Sequence, residues 1–172
     1  MNMTHYMQLL VDNQPWNLIL FMAIPVILAE TIAVTELYIL FTRNFTGIAK
    51  KINSVAGAIV GVYFVGVFLY LFTNAVIPLT QGGAWRGFAD VTAVGFYLLG
   101  VIPLAGLALL EFGLLKKGKT IEEKLRLHAT FVAIFLVVAH IAMIFGMLNP
   151  TVAGWVAPVV PSQTVMMNTT TN

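Results

Sequence analysis

Four long apolar stretches constrain most strongly what this chain can fold into. They cover about residues 17–41, 55–78, 91–115 and 125–148, and each reaches the roughly 20 residues that a helix needs to cross a bilayer. Hydrophobic residues make up 59% of the 172-residue chain and charged residues only 9%. A soluble interior of this size cannot hold that excess. We therefore predict an all-α integral membrane protein, a four-helix domain over residues 17–148.

The connections between the stretches are short, which predicts that consecutive helices are antiparallel neighbours. All but one of the Lys and Arg residues fall in the first and third connections, and basic loops of this kind stay in the cytoplasm. Both termini are then predicted on the outer, periplasmic side of a cell inner membrane, where Trp16, Trp85 and Trp155 would anchor the interface. The basic residues of the predicted inner loops are Arg43, Lys50, Lys51, Lys116, Lys117, Lys119, Lys124 and Arg126.

Two tails remain outside the predicted bilayer. Residues 1–16 form an outer N-terminal tail, without the positive segment that a cleaved signal peptide needs. Residues 149–172 form an outer C-terminal tail that ends in Thr and Asn, and we expect it to be partly disordered. Cysteine is absent, which excludes disulfides and thiolate metal sites. Nothing in the charge pattern indicates nucleic acid as a partner.

Ionisable residues at membrane depth are the main functional signal, because burying each one in lipid costs a few kcal/mol. At about 1.5 Å of rise per residue, Glu30 falls near the middle of the first span and His140 in the outer part of the fourth. Glu36, Glu111 and His128 fall nearer the cytoplasmic edge. We predict two polar layers that relay protons or ions, with Glu30 and His140 turned inward to meet each other.

A metal site is the second functional prediction. His140, Met143 and Met147 share one face of the fourth span, and Glu30 would complete the set. Imidazole and thioether ligands suit Cu(I), while an added carboxylate suits Fe(II) or Mn(II). Met143-x-x-x-Met147 is similar to the Met-x-x-x-Met of copper transporter family proteins. That likeness covers two residues of one span, and the family has three spans, so it implies ligand chemistry and not a fold. Alternatively, both methionines fill gaps between apolar helices.

A further group of residues lies at the outer face. Met3, His5 and Met7 bring thioethers and an imidazole together in the N-terminal tail, where they would capture a soft ion. Arg86 and Asp90 are the charged residues of the outer loop. We predict that they form an ion pair at the start of the third span, with a gate over the outer mouth as the alternative.

Small residues and prolines mark the helix contacts. Gly57-x-x-x-Gly61 in the second span predicts a close helix interface. Pro25 and Pro103 each remove a backbone hydrogen bond inside a span and free a carbonyl. These carbonyls either line a site or belong to simple kinks that the neighbouring helices absorb.

Together these patterns favour a small permease or metal-binding membrane protein, not an enzyme, that handles protons or a transition-metal ion (Cu or Fe/Mn). Four spans leave little room for a lumen, so we expect a homo-oligomer or a partner membrane subunit. One alternative is a b-type haem or quinone-linked electron-transfer subunit. Haem is less favoured because both intramembrane histidines lie on the same helix. The other is a non-catalytic accessory subunit whose polar groups merely pair with one another.

Overall fold

The computed structural model describes residues 3–115 and 120–157. Within these residues four helices are long and apolar enough to cross a membrane, which confirms the all-helical, four-span prediction and makes the chain a multi-pass membrane protein. Residues 158–172, the end of the C-terminal tail that we expected to be partly disordered, lie outside the described part, as do Lys116, Lys117 and Lys119. The four spans are Trp16–Thr42, Ile48–Gln81, Gly87–Glu111 and Ile121–Met147.

The bundle has two chemically different ends. At one end, called the basic end below, lie Thr42, Ile48, Glu111 and Ile121, next to the lysines and arginines of the connecting loops. The opposite end, called the terminal end, carries the short helix His5–Val11 and the 3-10 turn Pro150–Ala153. Each span packs against the next along the chain, and the first also touches the fourth over a smaller area.

Neighbouring spans compensate for the proline in the first span. Pro25 cannot donate to the preceding turn, and a π-helical turn precedes it. The Tyr97 hydroxyl donates to the freed Phe21 carbonyl at 2.6 Å, and the Tyr63 hydroxyl donates to the Leu20 carbonyl at 2.7 Å. Polar side chains from the second and third spans thus satisfy these carbonyls, as lipid-buried backbone groups require. The Phe21 carbonyl freed by Pro25 is therefore engaged by a neighbouring span.

Replacing Tyr97 by phenylalanine is expected to lower the free energy of unfolding by about 1–3 kcal/mol, because the buried Phe21 carbonyl loses its donor. Reversible unfolding in mixed detergent micelles measures the change. In a Pro25→Ala background the helix regains an N–H group, so the same substitution should cost less. Equal costs in both backgrounds would contradict this account. Tyr70→Phe, at an exposed position, is the control and should stay within about 0.5 kcal/mol.

The second and third spans approach closely on their small residues. A Cβ atom added at Gly61 would overlap the Leu104 carbonyl oxygen and come within 2.5 Å of Ala108 Cβ. A Cβ at Gly57 would lie 3.3 Å from His128 Nε2. Both glycines of the Gly-x-x-x-Gly pair therefore face neighbouring helices, which confirms the predicted interface.

An apolar layer fills the middle of the bundle. Ile32, Val60, Phe64, Leu104 and Leu107 come from the first three spans and are each at most 1% exposed. Close packing of this kind leaves little space for water. The layer separates the polar groups of the basic half from those of the terminal half.

Candidate functional site

All four spans contribute to one buried polar cluster in the basic half of the bundle. Glu36 and His128, from the first and fourth spans, are 4% and 1% exposed. Asn53 and Ser54 come from the second span and Glu111 from the third. We call these five residues the carboxylate–histidine cluster. Buried polar side chains of this number cost free energy unless they satisfy one another, so their convergence indicates a specific site.

His128 lies between the two carboxylates. Its Nδ1 is 2.6 Å from Glu36 Oε2, and its Nε2 is 3.3 Å from Glu111 Oε1. Neither ring nitrogen meets hydrogen-bond criteria with a described residue, so these are close ion-pair contacts and not aligned hydrogen bonds. A doubly protonated imidazole can pair with both carboxylates at once, whereas a neutral ring donates to one of them only. The ring therefore lies within ion-pair distance of both carboxylates, and a reorientation of the ring would align it with either one for proton exchange.

The two carboxylates have different surroundings. Glu36 Oε2 accepts from Asn53 Nδ2 at 3.0 Å, a neutral donor. Glu111 accepts from the Ser54 hydroxyl and lies 3.3 Å from Lys50 Nζ. With both carboxyl groups ionised, the charges of Lys50 and a protonated His128 balance them, and loss of one proton leaves a net negative charge. Such a change is costly in a low-dielectric interior, so protonation and local structure are coupled.

A cavity of about 280 Å³ opens at the basic end and reaches one side of the cluster. Its walls include Glu111, His128, Lys50 and Lys124. Glu36 is not among the lining residues and is deeply buried. His128 consequently separates a carboxylate in contact with the cavity from a carboxylate shielded from it.

Glu30 and His140 do not pair as the sequence predicted. Both are exposed on the surface of the bundle, and no ion pair or hydrogen bond joins them within residues 3–115 and 120–157. His140 Nδ1 instead lies 2.6 Å from the Leu136 carbonyl of its own helix. The reason is the smaller contact between the first and fourth spans, which leaves a cavity of about 230 Å³ lined by both residues.

The predicted metal ligands are split by this arrangement. Glu30, His140 and Met143 line the same cavity, whereas Met147 is 69% exposed and lies outside it. Among the described residues, no three His, Asp or Glu side chains are grouped to hold a metal ion. His128 offers no unengaged nitrogen to a haem iron, because a carboxylate lies against each of its ring nitrogens.

The Asp90 side chain pairs with the His5 side chain and not with the Arg86 guanidinium. The Asp90 carboxylate is 0% exposed, accepts from the His5 backbone N–H and lies 2.6 Å from His5 Nδ1. Arg86 contributes its backbone N–H at 3.1 Å, while its guanidinium donates to the Met3 carbonyl and to Gln8 Oε1. The predicted Arg86–Asp90 side-chain ion pair is therefore wrong. His5 of the N-terminal helix occupies the carboxylate, and the Arg86 guanidinium binds other groups of the N-terminal segment.

The N-terminal segment is a docked helix, where the sequence predicted a capture tail. Tyr6 and Leu10 are buried, and the Thr4 hydroxyl donates to the Gly146 carbonyl at 2.6 Å. A Cβ at Gly146 would overlap the Tyr6 ring. Met7 is partly buried against the core. Apolar residues four positions apart behind a Thr cap were the available signal of a helix that packs on one face.

Three residues of the site were missed from the sequence. Asn53 and Ser54 lie more than a turn inside the second span, where polar side chains hydrogen-bond to other helices. Lys50 was treated only as a marker of topology. Their position inside an apolar helix was a usable signal, but their partners on other spans could not be read from it.

Fold and site together define a class of protein: a four-span membrane protein with a carboxylate–histidine cluster shared by all its helices. Residues 1–161 match the model of a family described as "Family of unknown function (DUF6803)", and the chain belongs to this family. Neither a curated protein nor a solved structure matches it.

Proposed function

We propose that this protein is a small proton-coupled permease of the cell inner membrane, with its basic loops in the cytoplasm and both termini outside. The basic loops and the three tryptophans support that orientation. The observation that carries the proposal is the placement of His128 between Glu36 and Glu111. An imidazole between two carboxylates can accept a proton at one nitrogen and release another from the opposite nitrogen.

The proton path begins at the cavity of the basic end. A proton from cavity water reaches Glu111 or His128 Nε2 directly, because both line that cavity. The ring then releases the proton on Nδ1 to the Glu36 carboxylate, 2.6 Å away. Glu36 becomes neutral and stays close to Asn53. One proton enters the cluster and one is delivered, so the imidazole returns to its starting charge.

The apolar layer favours coupled transport over a continuous proton channel. This layer lies between Glu36 and the cavity that Glu30 and His140 line. Its five residues are all apolar, so none of them can carry a proton onward. Glu36 and Glu30 are on the same helix. If a change in the charge of the cluster moves the first span, the wall of the cavity lined by Glu30 moves with it. Such gating of one helix against the others is a common form of alternating access.

We favour protons over a transition-metal ion because the cluster's groups converge in pairs and not on one point. Each carboxylate lies against a different ring nitrogen of His128. A metal site needs ligands arranged around a single centre. The same observation supports proton exchange over simple structural pairing. Glu111, His128 and Glu36 follow one another from the cavity inward, each in contact with the next.

Infrared difference spectroscopy of the full chain in liposomes tests the proposal. Lowering the pH should produce a carboxylic-acid C=O band that disappears in Glu36→Gln, because that variant cannot be protonated at this position. Glu122→Gln, an exposed residue in the first turn of the fourth span, should keep the band. A spectrum in which no band depends on Glu36 or Glu111 would show that the cluster only holds the helices together.

A further inference from the structure

We propose that the cavity between the first and fourth spans binds a small lipophilic organic cation. We call it the lateral cavity; its volume is about 230 Å³. The proposal deepens the proposed function, on which it rests for the idea that the bound molecule is cargo. Binding itself depends only on the walls of the cavity.

Six of the sixteen residues that line the lateral cavity are Phe or Tyr. Rings of this kind present a negative face and attract cations, and the attraction grows when the site is desolvated. Tyr6 of the N-terminal helix is one of these rings. Burial raises the pKa of its hydroxyl to about 12, so Tyr6 adds no charge near neutral pH. The aromatic residues of the lining are Tyr6, Phe21, Phe64, Phe96, Tyr97 and Phe135.

The charge of the lining is one-sided. Glu30 is the one carboxyl group that lines the cavity, and no Lys or Arg is part of the described lining. The hydrogen bonds and ion pairs of residues 3–115 and 120–157 include none to Glu30. A carboxylate at membrane depth is costly without a counter-charge. An organic cation supplies that charge and also fills the apolar volume.

His140 adds a hydrogen-bond acceptor. The Leu136 carbonyl, 2.6 Å from His140 Nδ1, can only accept, so Nδ1 carries a hydrogen. In the neutral ring, Nε2 is then a lone-pair acceptor. The Tyr97 hydroxyl already donates to the Phe21 carbonyl. Glu30, His140 Nε2 and the Tyr6 hydroxyl oxygen can therefore each accept from an ammonium group.

The size and position of the cavity define the cargo further. It is smaller than the roughly 300–1,000 Å³ of pockets for drug-sized ligands, so the expected occupant is one ring or short chain with an ammonium head. Glu30 and His140 are exposed on the bundle surface, so the cavity opens sideways toward the acyl chains. A lipid chain could fill the apolar part but would leave Glu30 without a counter-charge.

Two probes of the same shape test the proposal on the detergent-purified full chain. Benzyltrimethylammonium carries a positive charge, and 2,2-dimethylpropylbenzene replaces its nitrogen by carbon. Titration calorimetry should show the cation binding at least tenfold more tightly than its neutral counterpart. Glu30→Gln should remove that preference and leave binding of the neutral probe unchanged. Because Glu30 is exposed, the variant is expected to fold, which circular dichroism verifies, and Glu122→Gln should behave like the wild type.

Three outcomes would overturn the proposal. Equal binding of both probes would mean that the cavity accepts any apolar chain. A preference that survives Glu30→Gln would place the cation elsewhere. Binding of Ag(I), a stand-in for Cu(I), that depends on His140 and Met143 while the organic cation fails to bind would assign the cavity to a soft metal. None of these outcomes changes the Glu36-dependent infrared band, so failure of the cation site and failure of the proton cluster are distinguishable.

Discussion

The His128→Ala variant is expected to lose about 3–5 kcal/mol of unfolding free energy, the cost of removing one partner from a buried ion pair. His128 is 1% exposed and lies against both Glu36 and Glu111. Its removal leaves the Glu36 carboxylate with only neutral Asn53 as a donor and opens a void beside Gly57. Reversible unfolding in mixed micelles measures the loss.

Two further variants make this prediction specific. His140→Ala changes the same residue type on the same helix, but at an exposed position, and should stay within about 0.5 kcal/mol of the wild type. Adding Glu36→Gln to His128→Ala removes the stranded charge and should recover part of the loss. If His128→Ala and His140→Ala cost the same, the contacts of His128 contribute nothing particular to stability.

A methyl group at Gly61 is expected to be the second most damaging change. In Gly61→Ala the new Cβ would overlap the Leu104 carbonyl oxygen and lie within 2.5 Å of Ala108 Cβ. Because the obstacle is largely backbone, the second and third spans must separate, at a cost of about 3 kcal/mol, the upper part of the usual range for overpacking. Separation would also move Glu111 away from Ser54, so the pH-dependent carboxylic-acid band of the cluster should change together with stability.

Gly66→Ala is the matched control for that substitution. Gly66 lies on the same helix, and nothing stands within 4 Å of a Cβ built there. Alanine is the better helix former by about 1 kcal/mol, so this variant should be neutral or slightly stabilising under the same unfolding assay. Similar losses in both variants would indicate that the close approach at Gly61 does not hold the two spans together.

The carboxylate–histidine cluster and the lateral cavity both include residues of the first span. Glu36 belongs to the cluster and Glu30 lines the cavity, and the π-helical turn before Pro25 lies on the same helix. A helix with a proline and freed carbonyls can bend where a regular one resists. The first span is therefore the element on which a proton at one end and a cation at the other could act together.

Composition and periodicity were sufficient to predict the spans. Runs of about 20 apolar residues can satisfy their backbone in lipid only as helices, and this holds whatever the helices pack against. The same local logic identified Glu36, Glu111 and His128 as polar residues near one level, since rise per residue is constant along a helix. The predicted second span began near residue 55, whereas the helix begins at Ile48, because Lys50 and Asn53 lower the hydropathy of its first turns.

Partner choice depended on the packing of the helices around one another. Glu30 and His140 were predicted to meet because both lie at depth, yet the first and fourth spans touch too little to join them. His128, assigned only a place in the relay, is the residue that links two carboxylates. Asp90 contacts His5 because a short helix packs over the terminal end. The sequence alone determined the four long apolar helices and the position of each polar group along its helix, since both depend on local geometry. Only the tertiary structure decided which polar groups face each other, because rotation and spacing of helices depend on contacts such as Gly61 against Leu104.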